Sequence, residues 1–143
     1  MSKLVCYLNQ IARCGVQYRN RQLEPLGITV RQTNLLLEIC ATPGISQDTL
    51  AKRLFLDKSV VARALADLEE QGLVERPTCP NDRRVIRLHP TEKALQMQPQ
   101  LQAVSAQWAQ FLTADMTEEE IAQLESLLSR LQTRAAQWTE VEE

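Results

Sequence analysis

Arg83 and Arg84 stand side by side in PTCPNDRRVIRL, residues 77–88, directly after a Pro-Asn turn and beside Asp82. Such a turn between short apolar runs projects its arginines into solvent. Guanidinium groups make short, two-pronged hydrogen bonds to anionic oxygens and to the acceptor pair on the edge of guanine. Asp82 is placed to hold one guanidinium in a fixed pose while the other reaches out. A second group of candidates lies upstream, in KSVVARALADLEEQG at 58–72. With the inward positions Val61, Leu65 and Leu68 set aside, Lys58, Ser59, Val60, Ala62, Arg63 and Ala66 face outward near the start of this helix. Asp67, Glu69 and Glu70 lie at its far end.

A helix whose leading half presents small, hydroxyl and basic groups fits the major groove of duplex DNA, where bulk would clash with base edges and acids would repel phosphate. Ser59 can donate to a phosphate or a base edge. Arg63 is the candidate for a bidentate contact with guanine. A protruding turn with two arginines suits a minor groove narrowed by A·T pairs, where negative potential concentrates. The plain alternatives are an Arg63 paired with Asp67 one turn on, and a charged turn that is simply solvated.

The surrounding pattern predicts the elements that position these groups. Leu4, Leu8, Ile11, Gly15 and Tyr18 recur at steps of three and four, giving an amphipathic helix to Leu23 that Pro25 and Gly27 end. VRQTNLLLEICA gives a second, and TPG at 42–44 breaks it. Ser46 is a natural N-cap for QDTLAKRL, Asp57 can cap the helix after it, and Gly72 stops that one. The two make a helix-turn-helix. LVERP and RVIRL, around the opening stretch, predict a two-stranded hairpin with its tip at CPNDR, so the core reads as a winged helix. Pro90 is expected to open the next helix, which carries Leu101, Val104, Trp108 and Phe111 and should bend or break at Pro99. Thr117 and Glu120 form a capping box for a last helix with Ile121, Leu124, Leu128, Leu131, Ala135 and Trp138 at heptad spacing.

Composition agrees with a mostly α chain, α+β only through its wing. The 143 residues hold four glycines and few aromatics. The net charge of −2 is unevenly spread: residues 46–93 hold nine basic and eight acidic groups, residues 113–143 two and eight. Acidity therefore sits in the tail and does not exclude an anionic partner. The N-terminal stretch has the character of neither a signal peptide nor a membrane span, which predicts a cytoplasmic protein without membrane contact. Cys6, Cys14, Cys40 and Cys79 show no C-x-x-C pairing, and His89 is the lone histidine, so no metal site is expected. With no phosphate loop and one conventional base, neither catalytic residues nor a cofactor is expected.

LEPLGITVRQTNLLLEI, and above all LADLEEQGLVER leading into NDRR and PTEKA, resemble the multiple antibiotic resistance regulator (MarR) family of bacterial transcription factors. The resemblance runs the length of the chain. It implies a sequence-specific regulator, a repressor by expectation, that binds double-stranded DNA at a pseudo-palindromic operator as a homodimer. It divides the chain into an N-terminal dimerisation helix (1–30), a winged core (31–93) and C-terminal dimerisation helices (94–143). By matching position, Ser59 and Arg63 fall on the recognition helix, and Asp82 and Arg84 on the wing's acid-x-arginine signature. Departures are Pro90-Thr91 where Leu-Thr is usual, Ala94 where a glycine follows TEK, and Ala62 where threonine is common.

Apolar residues on the terminal helices, including Trp108, Phe111, Leu128, Leu131 and Trp138, exceed what a small winged core can cover, which also predicts a homodimer. The resemblance implies release from DNA by a small phenolic or anionic effector. Its binding residues are unknown from sequence; Tyr7, Arg13, Tyr18 and Arg21 are candidates that core packing and dimer contacts explain equally well. One branch of the family senses oxidants through a cysteine near this position, which makes Cys6 the redox candidate against the plainer reading of a buried helix thiol. A winged-helix protein-interaction module without DNA binding is the alternative from another class.

Overall fold

The structure, a computed structural model, describes residues 2–79 and 82–141, with the backbone alone for 78, 79, 82–84 and 141. The chain falls into two compact units, Met1–Trp108 and Ala109–Glu143.

The first unit runs α1 (Leu4–Leu23), a 3-10 turn (Glu24–Leu26), α2 (Val30–Ala41), β1 (Ile45–Ser46), α3 (Gln47–Arg53), α4 (Lys58–Glu70), β2 (Val74–Glu75), β3 (Thr78–Cys79), β4 (Asp82–Pro90) and α5 (Glu92–Leu112), whose residues from Ala109 belong to the second unit. Strand β4 is the spine of the sheet. It pairs antiparallel with β1 through Ile45↔Leu88, with β2 through Glu75↔His89 and Val74↔Pro90, and with β3 through Thr78↔Ile86. One apolar layer holds these pieces together: Leu35, Leu36 and Ile39 of α2, Leu50 of α3, Val61, Leu65 and Leu68 of α4, Leu88 of β4 and Leu101 of α5 are all fully buried. Each such side chain contributes about 1.5–3 kcal/mol on leaving water. The helix-turn-helix is thereby clamped between α2 and the sheet.

Helix ends follow from local chemistry. Thr29 and Gln32 close a reciprocal capping box at the start of α2. Ser46 Oγ accepts from the Thr49 N–H and starts α3. At the end of α4, the Leu73 N–H reaches the Leu68 carbonyl and the Gly72 N–H reaches that of Glu69, with Gly72 at φ 73°. This is the paired bond pattern that a left-handed glycine permits. Asp57 occupies the N-cap position of α4, but its side chain makes no capping bond.

Two expectations about α5 are corrected. Pro90 does not open it: Pro90 closes β4 against Val74. Thr91 caps the helix instead, its Oγ1 accepting from the Ala94 N–H and donating to the Gly72 carbonyl. Of the bend or break expected at Pro99, the break does not form, since α5 is one helix across it. Trp108 is not surplus surface either. Its ring stacks on Tyr18, centroids 5.1 Å apart, and a Cβ at Gly15 would lie 2.9 Å from its indole nitrogen. Only glycine lets the ring approach α1 this closely.

Phe55, in the turn between α3 and α4, has φ 54° and an exposed ring. The left-handed conformation costs a non-glycine residue roughly 1–2 kcal/mol, while glycine pays less than 1 kcal/mol in chain entropy. Phe55→Gly is therefore expected to leave stability unchanged or raise it by up to about 1 kcal/mol, measurable as the shift in urea midpoint. A clear loss would mean that the ring packs on a surface the single chain does not contain.

In the second unit, Thr117 Oγ1 accepts from the Glu120 N–H and Glu120 Oε2 accepts from the Thr117 N–H, the capping box that starts α6 (Glu118–Val141). Along α6, Leu124, Leu127, Leu128, Leu131 and Trp138 are exposed in the single chain.

Candidate nucleic-acid interface

Helix α4 carries the first half of the site. Its buried stripe fixes its rotation, so the residues at steps of four and three on the opposite side, Ser59, Arg63 and Ala66, form an exposed ridge. Arg63 makes no ion pair among the described residues, so the pairing with Asp67 that stood as the plain alternative is not formed. Its guanidinium is available.

The other sequence candidates lie off this ridge. Lys58 sits at the start of α4 with its Nζ 3.6 Å from Asp48 Oδ1, both side chains mostly solvated. Ala62 is half-buried on one flank. Val60 is half-buried on the other, where it lines a cleft. No feature of the local sequence announces the Lys58–Asp48 contact, because it joins two helices across the turn.

The second half of the site is the β3–β4 hairpin. Its backbone is antiparallel, with Cys79 opposite Asp82 and a register shift between Thr78 and Cys79. Arg83 and Arg84 lie on β4 just after the tip. The tip residues Pro80 and Asn81, and the side chains of Cys79, Asp82, Arg83 and Arg84, lie outside the described residues. So does the expected hold of Asp82 on a guanidinium. Where the hairpin leaves the helical core, Arg76 reaches back to α4, its Nε 2.7 Å from Glu69 Oε2 and its Nη2 on the same oxygen.

A cleft of about 630 Å3 opens beside α4, between it and helices α1 and α2. Its wall includes Arg19, Asn20, Arg31, Val60, Arg63 and Asp67, three cations to one acid. Arg19 is held there by its Nε bond to the Gly15 carbonyl at 3.2 Å. Tyr7, Arg13, Tyr18 and Arg21 do not line it. These four candidates were legible as polar groups on α1, but only α2 and α4 decide which face of α1 borders the cleft.

Cys6 and Cys14 are exposed in the single chain. Cys40 packs against the core, and burial pushes its thiol pKa up, leaving it a poor nucleophile. Among the described residues no His, Cys, Asp or Glu group could hold a metal ion, and no helix is long and apolar enough to cross a membrane.

A helix-turn-helix with its second helix turned outward beside an arginine-bearing hairpin defines a winged helix-turn-helix protein. Comparison with known proteins narrows the class. A sequence model of the MarR family matches residues 26–85. The HTH-type transcriptional regulator YybA of Bacillus subtilis is 28% identical over 131 residues, covering 92% of this chain and 87% of its own. A crystal structure of MarR superposes with a TM-score of 0.87 at 33% identity, over 98% of this chain and 97% of that one. A MarR family regulator from Listeria monocytogenes, crystallised with a 26mer DNA, gives a TM-score of 0.93 at 27% identity, over 99% and 95%. The chain belongs to the MarR family of transcriptional regulators.

Proposed function

We propose that this regulator binds duplex DNA as a homodimer, represses transcription from a pseudo-palindromic operator, and is released by a small phenolic or anionic molecule. The observation that carries the DNA reading is the exposed ridge of α4, with Arg63 unpaired among the described residues and the arginine hairpin on the same unit. The ridge enters the major groove through Ser59 and Arg63, with Lys58 and Ala62 beside them and Val60 on the cleft side. Asp82, Arg83 and Arg84 serve the minor groove. The relative crystallised with DNA supports the same use of the fold.

Dimerisation is favoured by the apolar residues left exposed on α1, Leu4, Leu8 and Ile11, and by those of α6. A single chain in water pays for such faces, and a second copy covers them. The division into a winged core flanked by N- and C-terminal dimerisation helices follows from this, as does a cytoplasmic location beside DNA. The cleft suits the effector. It is walled by α4 as well as by α1 and α2, so an anion seated among its arginines binds with an affinity that depends on where α4 lies, the condition for any ligand to shift DNA binding. The exposed Cys6 supports a second reading in which a peroxide-type oxidant, rather than a ligand, triggers release.

Hydroxyl-radical footprinting on the DNA upstream of its own gene tests the proposal. Two protected half-sites about one helical turn apart, related by a two-fold axis, are expected. One asymmetric patch would rule out the dimer, and uniform cleavage at low salt would leave the protein-interaction module as the reading.

A further inference from the structure

We infer that Glu69 and Arg76 form a brace that sets the angle of the hairpin relative to α4, and that Glu69, an acid on the recognition helix, thereby strengthens DNA binding. The inference rests on the DNA reading above.

The ladder of the hairpin is interrupted where it needs support. Val74 and Glu75 pair with Pro90 and His89, Thr78 and Cys79 pair with Ile86 and Asp82, and Arg76 and Pro77 fall between the two paired stretches. Pro77 has no N–H with which to continue the ladder. Beyond this gap the arm that carries Arg83 and Arg84 is tied to the core by β4, and Arg76 adds a second tie. Two of its N–H groups converge on Glu69 Oε2, with the Arg76 side chain 25% exposed and that of Glu69 45%. On its own Glu69 is badly placed. It lies in the last turn of α4, where the helix dipole disfavours a carboxylate, and on an element meant for a polyanion. Arg76 neutralises it there. Glu70, the next residue, has no ion pair among the described residues.

The two acids therefore give opposite signs. Pure charge counting says that removing either one raises affinity for DNA. A brace says that Glu69→Ala lowers it, because the hairpin then has to be ordered at the moment of binding.

The test measures Glu69→Ala, Glu70→Ala and the exchanged pair Glu69→Arg with Arg76→Glu against the footprinted operator, carrying either A·T-rich or G·C-rich flanks. Glu69→Ala is expected to bind about 3–10-fold more weakly on A·T flanks and to lose the flank preference, with Glu70→Ala as tight as wild type or tighter and the exchanged pair restored. Without DNA, amide exchange in residues 78–88 should quicken in Glu69→Ala alone. Glu69→Ala binding as tightly as Glu70→Ala, with flank preference and exchange unchanged, would overturn the brace. Wild-type protein that binds neither duplex would overturn the DNA reading instead, and quickened exchange would then still identify Glu69 and Arg76 as a structural tie.

Discussion

Arg63→Ala is expected to remove about 1–3 kcal/mol of discrimination between operator and scrambled duplex, roughly a 5- to 150-fold change in the ratio of the two affinities. Arg63 lies on the exposed ridge of α4 and makes no ion pair among the described residues. Its removal therefore strands no partner and should change stability by no more than about 0.5 kcal/mol. That separation makes the result readable: the loss must appear in binding and not in unfolding. Arg63→Lys sharpens it further. Lysine keeps the charge but not the planar fork, so the discrimination should fall while the salt dependence stays near wild type. Equal weakening on every sequence would mean that Arg63 touches only phosphate.

Leu65→Ala should give the largest loss of stability, about 2–5 kcal/mol. Leu65 is fully buried in the layer where α4 meets α2 and α3. The helix on either side of it is held by Val61 and Leu68, so the site cannot collapse to fill the space of the deleted isobutyl group. For a chain of this length the melting temperature should drop by roughly 5–20 °C. Thermal unfolding followed by circular dichroism measures this, at fixed protein concentration because a dimer's melting temperature depends on it. A drop of only a degree or two would mean that α4 is not anchored through this layer.

The helix-turn-helix was legible because its signals are local. Apolar residues at steps of three and four mark the inner faces of α3 and α4, Ser46 caps one and Gly72 stops the other, and each signal lies within a turn of the element it sets. The same rule misplaced Pro90. Proline suits a first helical position, but here the sheet claimed it, and Thr91 with its two hydrogen bonds took over the cap. Strand β1 is two residues long, too short to show any alternation. Gly15 and Trp108 each fit an amphipathic helix; that one exists to admit the other appears only when α1 meets α5. The candidate site divides the same way. Ser59 and Arg63 follow from helical periodicity, whereas the Glu69–Arg76 tie crosses a turn and the cleft draws on three helices, so neither leaves a pattern in the chain.

Fluorescence anisotropy of the purified protein with its own upstream duplex and with a scrambled duplex, across a salt series, tests the central claim most directly. Tight binding to the first, weaker binding to the second, and a steep linear fall of log affinity with log salt are the predicted result. Equally weak binding to both at the lowest salt, with no salt slope, would contradict it.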